Sequence, residues 1–222
     1  MSAQRETGRR GRPPLSERDR VAQRLAISRH AVRLFRERGV AATSGTDVAV
    51  AAGISERTLW RLFRTKEALV EPLLTESLES FREILRSWPD GVDLADHLRE
   101  AYQFLPEPSS GDAGTAAAGD SEAVLAIVRM TREAPGLRAV WLVLHERAEP
   151  TIAAVLAPRL GLPADAPEVR LQAATLNAAF RVATDDVAQA TTTGSVAEVT
   201  GSHRRHLAEI LRAATRIPAA DT

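Results

Sequence analysis

The chain has no cysteine among its 222 residues. That removes disulfides, thiolate metal sites and cysteine nucleophiles together, and it fits a reducing cytoplasm. Lysine is nearly absent too: Lys66 stands against 28 arginines. A G+C-rich genome produces such a bias, so arginine abundance as such carries no mechanistic weight. No apolar run approaches the ~20 residues that span a bilayer, so no membrane partner is expected. The charged N-terminus lacks the apolar stretch of a signal peptide. There is no glycine-rich phosphate loop and no Ser/His/Asp order, so an all-helical enzyme is a remote reading and no cofactor is expected. "HERAE", residues 145–149, misses the zinc-protease pattern because Glu149 stands where the second histidine belongs. His203 and His206 lie three apart near the C-terminus, but His203 points into an apolar stripe and reads as packed, so no metal site is expected.

Net charge is zero as well, and that figure hides a division. Residues 1–70 hold 15 basic and 7 acidic side chains, a net of +8, and residues 71–222 carry −8. A basic third attached to an acidic remainder suggests a polyanion-binding module joined to something else. The hydrophobic share of 44% is that of an ordinary globular protein.

What is present is helical periodicity. Residues 1–17, rich in Gly, Pro, Ser and Arg, read as a flexible basic arm. A helix follows from about Arg18 to Arg38, ended by Gly39. Ser44, with Asp47 three residues on, caps a short helix to about Ala52. A tight turn at Gly53 leads to Ser55, which caps a third helix ending near Phe63. Thr65 caps a fourth, in which Leu69, Leu73, Leu74, Leu78, Phe81, Leu85 and Trp88 recur over six turns. Pro72, about two turns inside it, predicts a kink. Helical periods continue through about 94–105, 121–134, 137–157, 166–190 and 195–215, while 106–120 reads as a mobile loop. The expected fold is all-α: an N-terminal helix-turn-helix unit over 18–64 and a larger helical domain over 65–217.

Helix 166–190 presents two apolar stripes. One holds Leu176, Phe180, Ala183 and Val187, and the other Leu171, Ala178 and Val182. One can pack on the chain's own core; the second calls for another partner, and a second copy is the economical choice. The stripe Val196, Val199, Leu207, Ile210 and Ala214 supports a homodimer through 166–190 and 195–215. A monomeric bundle that buries both helices is the alternative.

"ISERTLWRLFRTKEAL", residues 54–69, sets Trp60, Arg61, Arg64 and Lys66 around an apolar spine of Ile54, Leu59, Leu62 and Phe63. Three short helices with a glycine in the second turn describe a helix-turn-helix. With Ile27, Ala31, Leu34-Phe35, Gly39, Ala42-Thr43, Val48-Ala49, Ala52-Gly53-Ile54-Ser55, Thr58-Leu59, Phe63, Lys66-Glu67 and Leu69, residues 27–69 resemble the DNA-binding domain of TetR-family transcriptional regulators. His30, Gly45, Trp60 and Arg61 depart from the family pattern. Gly45 replaces a β-branched or large apolar residue, which predicts a looser second helix. Trp60 and Arg61 replace tyrosine and histidine while keeping an aromatic with a polar edge and a cation.

Geometry assigns the DNA contacts. Ser55 caps the recognition helix, whose N-terminus attracts phosphate or base acceptors. Arg57 and Thr58 lie in its first turn, and Arg57 suits guanine O6 and N7. Glu56 suits either a cytosine N4 contact or the helix dipole. Trp60 Nε1, Arg61, Lys66 and Thr43 are expected on phosphates. Arg12, in "GRRGRPP", fits either minor-groove insertion or a basic tail touching phosphates.

The resemblance implies a homodimeric regulator on double-stranded palindromic DNA, most simply a repressor released by a small-molecule effector. A regulator controlled by a protein partner or by abundance is the alternative. Tyr102, Met130, Trp141, His145, Leu176 and Phe180 can line a mostly apolar effector cavity, or fill a core with His145 hydrogen-bonded locally. Asn177, Arg181 and Asp185 form a polar stripe expected to meet solvent or rim the dimer seam.

Overall fold

A computed structural model describes residues 16–89, 91–103 and 112–190. Among the described residues there are eight α-helices and no strand. Arg12 and the segment 195–215, with its expected dimer stripe, lie outside them.

Helix α1, Glu17–Arg38, opens one residue earlier than the periodicity suggests, because Ser16 and Asp19 form a capping box. Helix α2, Gly45–Ala51, has the expected box, Ser44 with Asp47, and α3, Glu56–Leu62, is capped by Ser55. The fourth helix is not continuous. A 3-10 turn, Glu67–Val70, comes first, its opening N–H of Ala68 held by the Thr65 hydroxyl at 3.1 Å. Helix α4, Glu71–Arg86, then begins. Pro72 therefore sits in the first turn of α4, where a missing N–H has no intrahelical acceptor to lose. The expected internal kink is replaced by a start signal. Pro72→Ala should change the free energy of unfolding by less than about 1 kcal/mol in urea denaturation; a larger loss would mean that the ring has a structural role beyond starting the helix.

Helix α5 spans Leu94–Gln103 and α6 Asp112–Met130. The expected loop over 106–120 is thus helical from Asp112 onward. Its run of Ala116, Ala117 and Ala118 favours helix by propensity but shows no apolar stripe, so periodicity could not reveal it. Helix α7, Pro135–Leu160, carries proline at its first position and ends at Gly161, whose left-handed backbone (φ 63°) lets its N–H reach the Ala157 carbonyl. Helix α8 is Pro167–Ala190.

Two apolar clusters form the core. The first joins Ile27, Phe35, Val48 and Leu59 of the three short helices to Leu69, Leu73 and Leu74, to Ile127 of α6, and to Leu137 and Trp141 of α7. The second joins Leu78, Phe81 and Leu85 to Leu98, Ile152, Val169, Leu176 and Phe180. Helix α4 runs through both, so the core does not divide where residue 64 ends the helix-turn-helix. On α8, Leu176, Phe180, Ala183 and Val187 are buried. The other stripe is bare within one chain: Leu171 is 69% exposed, Val182 41%, and Ala178 is exposed.

Candidate nucleic-acid interface

The turn between α2 and α3 is set by Gly53, at φ 64°, and closed by the Ile54 N–H on the Ala49 carbonyl at 3.0 Å. Ser55 Oγ accepts from the Thr58 N–H at 3.2 Å and shares a 2.8 Å hydrogen bond with the Thr58 hydroxyl. Glu56 acts as a clasp. One carboxylate oxygen accepts from Trp60 Nε1 at 3.1 Å, and the other accepts from the Thr46 hydroxyl of α2 at 3.1 Å. The two helices are thereby tied at the face they present to solvent.

Trp60 lies against Gly45. A Cβ built on Gly45 would stand 2.1 Å from Trp60 Cζ2. The looseness expected at Gly45 is absent: the indole occupies the space a larger side chain would need. The two departures from the family pattern thus compensate each other in volume.

Several expected phosphate donors are committed inside the fold. The Trp60 indole N–H, expected on phosphate, donates here to Glu56 at 3.1 Å. Thr43 is buried, and its hydroxyl donates to the Gly39 carbonyl at 2.9 Å, sealing the end of α1. Lys66 Nζ donates one hydrogen bond to the Val40 carbonyl at 2.7 Å, and its ammonium has two further N–H donors. Arg57, Arg61 and Arg64 are different. All three are exposed, and none has a partner among the described residues. They are the free cations of the recognition helix and its exit.

Arg24 is a positioning residue that sequence reasoning missed. Its guanidinium lies 4.5 Å from the centroid of the Phe63 ring, donates to the Leu62 carbonyl at the end of α3, and faces Glu71 at 3.7 Å. One side chain of α1 thus fixes the recognition helix against the start of α4. The available signal was an arginine bordering the apolar stripe of α1.

Residues 27–73 match the family described as "Bacterial regulatory proteins, tetR family". The match runs from within α1 through α2 and α3 to the start of α4. It is 27% identical over 158 residues to the HTH-type transcriptional regulator TcmR of Streptomyces glaucescens, covering 69% of this chain and 67% of TcmR. Salmonella enterica GusR shares the fold at a TM-score of 0.51 and 24% identity, over 89% of this chain and 98% of GusR. Thermus thermophilus FadR, a TetR-family transcriptional repressor solved in complex with lauroyl-CoA, shares it at 0.50 and 23%, over 90% and 98%. The helix-turn-helix is thus similar to that of DNA-binding transcriptional regulators. No described helix is long and apolar enough to cross a membrane.

Ion pairs join α1 to α6. Arg29 of α1 makes a two-pronged contact with Asp120 of α6 at 2.7 and 2.6 Å, and Arg36 reaches Glu122 at 2.6 Å. The carboxylates of Asp120 and Glu122 lie in or beside the segment read as a loop.

The expected effector residues are brought together in part. Trp141 meets His145 edge to face, with ring centroids 4.1 Å apart. Phe180 stands 6.0 Å from His145 and stacks on Phe81 at 4.0 Å. Leu176 is buried in the Phe180 cluster, and Met130 is half-buried against the Trp141 cluster. The Tyr102 side chain lies outside the described structure. On this side the rings touch, as in the filled-core reading. Asn177 is misplaced by the sequence reading, which put it on a solvent stripe. It is 4% exposed, and its Oδ1 lies 2.8 Å from His145 Nδ1. Its Nδ2 donates to the His145 carbonyl at 2.9 Å and to Glu149 Oε1 at 3.1 Å. Burial pushes the His145 pKa down to about 4, against the opposing pull of the Asn177 hydrogen bond. Arg181 and Asp185 do pair, at 3.6 Å, and Arg138 joins them at 3.3 Å. No group of three metal-ligating side chains occurs among the described residues.

Proposed function

We propose that the chain is a homodimeric repressor that binds a palindromic operator through residues 18–64 and is released when residues 65–217 take up a small, mostly apolar molecule. The observation that carries the DNA reading is the contrast on and beside α3. Glu56, Trp60 and Lys66 are tied into the fold, while Arg57, Arg61 and Arg64 are exposed and free. Arginines held this way on a rigid helix serve base and phosphate recognition. The bare stripe of Leu171, Ala178 and Val182 supports a second copy of the chain, and a two-fold dimer reads a two-fold site. The effector reading draws support from the lauroyl-CoA bound by FadR.

A gel shift with the chain's own upstream DNA tests the reading. Arg57→Ala should weaken the specific site by about 1–3 kcal/mol and random DNA far less. Equal losses on both DNAs would demote Arg57 to a phosphate contact. Val182→Glu should give a monomer by light scattering and lose the shift; a folded dimer of normal mass would place the seam elsewhere. DNA binding that no compound reverses would leave a regulator without a small-molecule effector.

A further inference from the structure

The three tryptophans divide unequally. Trp60 gives its indole N–H to Glu56, and Trp88 gives its own to the Val92 carbonyl at 2.8 Å. Trp141 is the most deeply buried, at 1% exposure, yet its Nε1 has no partner among the described residues. One turn further along α7, His145 is 2% exposed, and its Nε2 has no partner among the described residues either. Buried polar atoms are nearly always paired. Two orphans on adjacent turns, on rings already in contact, mark one place where polar partners are missing.

Their hydrogen-bonding sense can be assigned. Trp141 Nε1 can only donate. Asn177 directs its Nδ2 at two oxygens, so its Oδ1 must face His145, and His145 Nδ1 must carry the proton. In the neutral ring that leaves Nε2 as an acceptor. The missing group must therefore accept from Trp141 and donate to His145. A carboxylate cannot donate, and an ammonium cannot accept. A hydroxyl does both.

We propose that Trp141 and His145 form the polar contact of the effector site, and that the effector is a neutral, largely apolar molecule bearing a hydroxyl. This rests on the effector reading above. The location suits a signal. Trp141 belongs to the cluster that holds the DNA-binding helices, and Phe180, on the far side of His145, to the cluster beneath. Five residues before Trp141, α7 abuts the 3-10 turn so closely that a Cβ on Gly136 would lie 2.7 Å from Glu67 Cγ. Movement of α7 has no slack there and must pass to the segment that Lys66 ties to the end of α1.

The test uses the full chain with 1-decanol, 4-butylphenol and 1-naphthol, each beside its O-methyl ether, with decanoate as the anionic control. At least one hydroxyl compound should raise the melting temperature and bind about ten-fold or more tighter than its ether. It should also move the indole ¹H–¹⁵N resonance that Trp141→Phe removes. Trp141→Phe and His145→Phe should each bring the hydroxyl-to-ether ratio close to one. Ethers or decanoate binding as well as the alcohols, or no hydroxyl compound moving the Trp141 resonance, would overturn the proposal. Binding at Trp141 without release of DNA would overturn the effector reading and support the hydroxyl site. Release of DNA by a compound that leaves Trp141 unmoved would do the reverse.

Discussion

Gly45→Val should abolish specific DNA binding and lower stability by about 1–3 kcal/mol, the usual cost of overpacking a closed contact. A Cβ alone would penetrate the Trp60 ring, at 2.1 Å from Cζ2. The indole, 40% exposed, can swing outward only by giving up the Nε1 hydrogen bond to Glu56, which also holds Thr46 of α2. The valine must therefore part α2 from α3 or break the clasp, and either change moves Arg57. Trp60→Ala in the same chain should recover most of the stability, since it removes the ring that clashes. The coupling between the two substitutions, read from urea denaturation of both single variants and the double, should be at least about 1 kcal/mol. Additive effects would show that the contact does not set the fit of the two helices.

Acid should cost the protein about 3 kcal/mol of stability through His145 alone. Its pKa falls from 6.5 to about 4 on folding, chiefly through burial. Above about pH 6.5 neither state binds the proton, and the contribution is complete. Between about 6.5 and 4 the unfolded chain is protonated and the folded chain is not, so stability falls by about 1.4 kcal/mol per pH unit. Below about 4 both states carry the proton and the loss ends. Asp47 and Glu79, whose carboxyls are held low by Ser44 and by Arg82 with Arg86, lose their own contributions at lower pH. His145→Gln separates the effects: its stability should be nearly flat from pH 6.5 to 4.5 by urea denaturation. A slope equal to that of the unchanged chain would mean that another group carries the loss.

The DNA-binding helices were legible because their signals are local. Ser44 with Asp47, Gly53 and Ser55 act within four residues, and the structure places them at the expected caps and turn. Local reasoning did not reveal which side chains find partners inside the fold. Thr43 and Trp60, four residues from Gly39 and Glu56, and Lys66, 26 residues from Val40, each donate a hydrogen bond within the fold. Only Glu56 lies on the same helix as the residue it holds. Pro72 was misread because an apolar stripe runs unbroken through the 3-10 turn and α4, so periodicity shows no seam. The opening turns of α6 were missed for the opposite reason, since alanine and glycine give no stripe at all. Asn177 looked like a surface residue beside Arg181 and Asp185. Only the packing of α7 on α8, which brings His145 and Glu149 to it, makes it a core residue.

The ion pairs between α1 and α6 bear on how operator binding will respond to ionic strength. Arg29–Asp120 and Arg36–Glu122 are partly open to solvent, with the arginines 46% and 45% exposed. Such pairs weaken as the screening length shrinks to about 10 Å at 0.1 M salt and about 3 Å at 1 M. Salt also weakens the complex directly, because cations return to the phosphates that the protein had neutralised. Under the proposed function both processes act together: the ions that compete for the DNA also loosen the tie between α1 and α6. The slope of log K against log salt should therefore exceed the number of phosphates contacted, and substituting Asp120 and Glu122, which are held back on α6, should change it.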